Sequence, residues 1–161
     1  MSRWQRQQGC WCLWPASPKG LVEFIGGSYL ATNPQISYRR LLEGLAARQL
    51  AVHAWSYVPG FDHQLQAREA WQALRTCRAA LNQRLGQDLV PVRVGHSLGC
   101  KLHLLAPDGG RNSLGMAALS FNNFTAERSI PLLGTLAPSL GVVTEFSPGP
   151  EETLRLIERY Y

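Results

Sequence analysis

PVRVGHSLGCKLHLL, residues 91–105, is the stretch whose reading decides the fold. Val92 and Val94 are strand formers at its start, and Leu98, Leu102 and Leu105 recur at helical spacing behind them. A buried strand therefore passes through a sharp turn into a helix. Gly95, Ser97 and Gly99 fill the pattern G-x-S-x-G at that turn. The flanking glycines leave room for a tight corner that lifts the serine hydroxyl above the end of the sheet. This is the pattern of a nucleophile elbow, and Ser97 is the candidate nucleophile. The competing reading is a glycine-rich turn whose serine is purely structural.

Apolar runs and amphipathic helices alternate on either side of the elbow. Residues 9–14 are a short aromatic strand candidate closed by the turn segment 15–19, and residues 21–25 form a second apolar strand ending at Gly26-Gly27. Ser37 can cap a helix in which Tyr38, Leu41, Leu42 and Leu45 recur at spacings of three and four. Residues 50–57 return as a strand that Pro59, Gly60 and Asp62 end. Leu65, Trp71, Leu74, Cys77, Leu81 and Leu85 then mark a long amphipathic helix stopped near Gly86. Beyond the elbow, residues 107–112 read as a loop, 116–121 as a buried strand, 125–140 as mixed helix and loop, and 151–160 as helix. The alternation predicts one α/β domain over residues 1–161, with a parallel sheet of about five strands near 10–14, 21–26, 50–57, 90–95 and 116–121 and helices on both faces. An exposed apolar edge is expected beside strand 116–121, which favours self-association.

Composition narrows the function. A chain of 161 residues that is 45% hydrophobic and 17% charged can bury a real core. The net charge of +5 arises from sixteen Lys and Arg against eleven Asp and Glu, but the basic residues are scattered and no RNP-like or zinc-finger motif accompanies them. Nucleic acid is not an expected partner. Cys10, Cys12, Cys77 and Cys100 read as reduced core thiols, with Cys10 and Cys12 on one face of a strand and no ligand set for a metal. No cofactor is implied. The apolar run 10–14 is too short for a signal peptide or a membrane helix, so a cytoplasmic protein is expected. Trp4, Trp11 and Trp14 read as core or edge-strand packing rather than a membrane contact.

A parallel sheet carries functional loops at the carboxyl ends of its strands. The loop Gly26, Gly27, Ser28 and Tyr29 can turn backbone amides toward an oxyanion. The amide of Ser28 would then partner that of Leu98, just beyond the nucleophile. Tyr29, His63, Asn122 and Asn123 are candidate substrate-binding residues, whereas Asp62 reads as the cap of the following helix. The general base is the difficulty. His103 is the only histidine after Ser97, and six helical residues separate the two by roughly 9 Å of rise on largely opposite faces. His96 precedes the nucleophile and is expected to point away from it, and His53 lies within a strand as a core histidine. Asp108, Glu145, Glu151 and Glu152 follow the serine, but none sits clearly at a strand end.

The blocks FIGGSYLATNPQISYRRLLEGLA, FDHQ, GHSLGCKLHLL, ALSFNNFTAERSIPLL and EFSPGPEETLRLI together resemble a family of photosynthetic organisms, cyanobacteria and plants. These are the α/β-hydrolase-like proteins catalogued as domain of unknown function 1350, and the similarity runs from about Cys12 to Ile157. The resemblance implies an α/β-hydrolase-like three-layer sandwich with a mostly parallel sheet, and for plant relatives a place in the plastid stroma. It also implies that the helix at Glu151 is followed by a strand with an Asp-rich segment and later by a histidine loop, which would supply acid and base. The sequence ends at Tyr161, so a short, C-terminally incomplete version is expected. The reading is a serine hydrolase for an ester, thioester or other small acyl or lipid-like substrate, weak or inactive as this chain. The alternative is a non-catalytic binding or scaffold module on the same fold.

Overall fold

A computed structural model describes residues 3–121 of the chain. Among these residues the sheet runs through six strands in the order β1-β2-β4-β3-β5-β6: β1 Gln5–Gln7, β2 Cys10–Leu13, β3 Gly20–Ile25, β4 Leu50–Trp55, β5 Pro91–His96 and β6 Gly115–Leu119. The four strands β3 to β6 pair in parallel, as alternation with helices requires. Expected and observed strands agree within about two residues.

Two features depart from the expected sheet. β2 pairs antiparallel to β4, with Cys12 opposite His53, so the sheet is mixed rather than wholly parallel. β1 was not legible, because Gln-Arg-Gln has no apolar alternation. It forms through the two-residue turn Gln8-Gly9, whose φ values of 47° and 78° match the twist of a hairpin and place Gln7 opposite Cys10.

Helices cover both faces. After β3 come a 3-10 turn at Leu30–Thr32, α1 at Pro34–Ser37 and α2 at Arg39–Ala47. Ser37 closes α1 instead of capping α2, and Tyr38 takes the position before α2. Leu42 and Ala46 of α2 pack on Val22, Phe24, Val52 and Ala54. The opposite face of the same strands meets α3, His63–Leu85, through Ala67, Ala70, Leu74 and Cys77, and α4, Leu98–Leu104, through Leu102. Side chains alternate along β3 and β4 between these layers, each fully buried large apolar residue contributing about 1.5–3 kcal/mol. Asp62 caps α3 as expected, accepting the Leu65 amide at 2.8 Å, and Gly86 ends it with φ 67°.

The helix layers also hold buried charge. Arg93 of β5 pairs with Asp108 at 2.7 Å and faces Glu23 of β3 at 3.9 Å. Burial pushes the Glu23 carboxyl up, against the pull of Arg78 and Arg93. Burial acts the same way on Asp108, but the Arg93 guanidinium and the Gly110 amide outweigh it and hold that carboxyl below its usual range. Asp108 is thus a structural partner and not a free acid.

Trp4 donates to Glu43, Trp14 to His53, and Trp11 lies under Arg6, so the three tryptophans pack as expected. All four cysteines are free and buried. Among the described residues no helix is long and apolar enough to cross a membrane. The expected helices at 125–140 and 151–160 lie outside the described residues.

Candidate active site around Ser97

The strand order fixes where a site can form. β3 lies between β4 and β5, so the chain leaves β3 toward one side through α2 and returns past it to β5 through α3. Right-handed connections put α2 and α3 on opposite faces and open a crevice at the carboxyl ends of β3 and β5. The loop 26–29 leaves β3 there, and Ser97 leaves β5 there.

Ser97 has φ 51° and ψ −118°, a conformation that costs a non-glycine residue on the order of 1–3 kcal/mol. Its surroundings hold it in place. The Ser97 amide donates to the Leu119 carbonyl of β6 at 2.9 Å, and its carbonyl accepts from the Cys100 amide at 3.1 Å. The neighbouring glycines are dictated by close approach. A Cβ on Gly95 would lie 2.6 Å from both N and Cα of Cys100. One on Gly99 would collide with the Ile25 carbonyl and sit 2.8 Å from the Gly26 oxygen. Gly99 therefore seats α4 directly against the end of β3, beside the loop expected to face the serine. The Ser97 side chain does not cap α4, and the amide of Leu98 opens that helix without an intrahelical partner.

The β3 loop is built around glycine as well. A Cβ on Gly27 would lie 2.9 Å from His96 Nδ1 and 3.2 Å from Ser97 Cβ. The Gly27 amide donates to the Tyr38 hydroxyl at 2.9 Å, so it is already engaged, and the next amide in the loop is that of Ser28. The Gly27 carbonyl accepts from Ala31 at 3.0 Å and the Ser28 carbonyl from Leu30 at 2.7 Å. Tyr29 has φ 61° and is 75% exposed. The buried Tyr57 hydroxyl donates to the Gly26 carbonyl at 2.9 Å and ties this loop to the end of β4.

All four histidines of the sequence fall within the described residues, at 53, 63, 96 and 103. His53 accepts the Trp14 indole N–H at 2.8 Å, and burial lowers its pKa to about 4. His63 is buried in the first turn of α3; burial first, then Lys101, lowers it to about 4. His103 packs in the interior of α4, where burial and then Arg93 lower it to about 3. His96 turns toward Tyr38, with its Nδ1 2.8 Å from the hydroxyl. His53 and His96 are thus engaged with Trp14 and Tyr38, and His63 and His103 are buried. Asn122 and Asn123 lie outside the described residues. Tyr38 and Tyr57 escaped the sequence reading, because a tyrosine beside a strand or helix counts as one more apolar position and nothing in its spacing marks where the hydroxyl goes.

Residues 3–161 match a family described as "Protein of unknown function (DUF1350)". No curated protein matches the chain in sequence. Among solved structures the chain is similar to TT1662 from Thermus thermophilus, at 20% identity and a TM-score of 0.58 over 98% of this chain and 67% of that one. It is also similar to dienelactone hydrolase from Anabaena variabilis, at 16% identity and a TM-score of 0.56 over 92% of this chain and 74% of that one. Esterase 2 from Thermogutta terrifontis, phosphoramylated by tabun, matches at 17% identity and a TM-score of 0.52, over 94% and 73% of the two chains. The fold is that of the α/β-hydrolases.

Proposed function

The chain belongs to the DUF1350 family, and we propose that it presents Ser97 as the nucleophile of an acyl hydrolase acting on an ester or thioester. The strained backbone of Ser97 between two sterically obligatory glycines carries this reading. In the proposed reaction the Ser97 oxygen adds to the acyl carbon, and the amides of Leu98 and Ser28 hold the oxyanion. Gly27 is the close-approach residue between them. Tyr29 lines the mouth, and His63, Asn122 and Asn123 are the remaining substrate-side candidates. The proton released by Ser97 needs an acceptor, and His53 and His96 are already engaged with Trp14 and Tyr38 while His63 and His103 are buried with their pKa values lowered.

Hydrolysis of p-nitrophenyl esters by the 161-residue chain is therefore expected at a trace rate. A serine without a poised base attacks slowly, passing its proton to water while the oxyanion amides stabilise the adduct. Ser97→Ala is expected to remove that residue of activity, measured by p-nitrophenolate release against a folding control. A rate untouched by Ser97→Ala would contradict the assignment. It would favour the second reading, a binding module on the hydrolase fold, which the placement of the histidines also supports. Efficient Ser97-dependent turnover would instead point to His63 as an unorthodox base. Among the described residues β6 closes one end of the sheet, with Ala117, Ala118 and Leu119 exposed; pairing of this end with a second copy is part of the proposal, and sedimentation would read it as a dimer.

A further inference from the structure

The side chain of Tyr38 joins the two halves of this site. It stands edge-on to Phe24, with ring centroids 4.7 Å apart at 63°, and to His96, at 5.6 Å and 62°. The ring fills a slot that Gly26 keeps open, since a Cβ there would lie 2.6 Å from Tyr38 Cε2. Its hydroxyl accepts the Gly27 amide at 2.9 Å and sits 2.8 Å from His96 Nδ1. With the Gly27 amide on one lone pair, the hydroxyl proton is available to His96 Nδ1, a direction that goes with the Nε2–H tautomer. Burial raises the Tyr38 phenol and keeps it a donor.

We propose that Tyr38 is a positioning residue, whose hydroxyl clamps the β3 loop to the residue preceding the nucleophile so that the Ser28 amide is held over Ser97. The inference rests on the reading of Ser97 as nucleophile. The clamp explains why the loop carries two glycines and why a histidine that cannot act as base stands next to the serine. It spans β3, the start of α2 and β5, so loop and elbow keep one geometry without rearranging when an oxyanion forms.

The test uses the full chain and a fluorophosphonate probe, with capture of Ser97 followed by intact mass. Tyr38→Phe keeps the ring and removes both hydrogen bonds. It is expected to lower the first-order capture step about tenfold, the equivalent of one good hydrogen bond, with the probe's half-saturating concentration unchanged. His96→Asn retains an acceptor near Nδ1 and is expected to stay within about twofold of the parent. His96→Leu should fall as far as Tyr38→Phe, and the double variant Tyr38→Phe/His96→Leu no further. Imidazole 15N spectra should show His96 of the parent as a single Nε2–H tautomer and Tyr38→Phe as a mixture. Capture of Tyr38→Phe at the parent rate, or unchanged His96 nitrogens, would overturn the clamp. No capture of Ser97 in the parent would refute the serine reading, and the nitrogen spectra would still decide the clamp.

Discussion

Replacing Gly99 with alanine is expected to cost at least about 4 kcal/mol of stability and to lower Tm by about 8–16 °C for a chain of this size. The new Cβ would enter the carbonyl of Ile25 and approach the Gly26 oxygen to 2.8 Å. Neither group can retreat. Ile25 ends β3, which pairs with β4 on one side and β5 on the other, and Gly26 follows it directly, so moving them disturbs ladder bonds in the middle of the sheet. Gly95→Ala should behave alike, because its Cβ meets the backbone of Cys100 at 2.6 Å. Gly44→Ala is the control. Its nearest neighbour is the flexible tip of Arg48 at 3.7 Å, and it lies within α2, so it should be neutral or stabilising by up to about 1 kcal/mol. Urea and thermal denaturation measure all three. A Gly99→Ala protein that melts within about 2 °C of the parent would contradict the seating of α4 on β3.

Acid should destabilise the protein well before its carboxylates are protonated. His53 and His63 have pKa values lowered to about 4, and His103 to about 3, in each case first by burial. In the unfolded chain each titrates near 6.5. Between those values the unfolded state binds protons that the folded state refuses, so stability falls as pH drops from about 6.5 toward 4. At 1.36 kcal/mol per pKa unit, each buried histidine contributes roughly 2–3 kcal/mol of that loss, an order-of-magnitude figure. Glu23 acts in the opposite sense, since its raised carboxyl binds a proton more readily in the folded state. Asp108, with its carboxyl held low, adds a further loss only at lower pH. Urea midpoints measured from pH 7 to pH 4.5 should fall steeply, with proton uptake on unfolding approaching three. A flat profile over that interval would show that the three histidines are not buried as neutral groups.

The parallel strands, the long helix with its Asp62 cap and Gly86 stop, and the elbow were legible because each rests on local signals: apolar runs, helical spacing, capping chemistry and glycines at a corner. The direction of β2 was not legible, since the same apolar tetrapeptide suits either orientation and only its partner β4 decides it. β1 owes its existence to the turn conformation of Gln8-Gly9 and not to its own residues. Around the serine, the sequence identified the backbone elements but not the hydroxyl that couples them. Gly26-Gly27 reads as a loop suited to close approach, whereas the partner that approaches, Tyr38, belongs to another element. The core placement of His53 was legible, because it lies inside an apolar strand. The burial of His63 was not, because it depends on how α3 and α4 pack.

The most direct test of Ser97 as nucleophile is its covalent capture by a fluorophosphonate, read by intact mass and peptide mapping in the parent chain and in Ser97→Ala. The predicted result is slow, stoichiometric addition of one phosphonyl group to Ser97 in the parent, with no addition to the folded Ser97→Ala variant. Addition at any other residue, or an unmodified Ser97 after prolonged exposure to the probe, would contradict it.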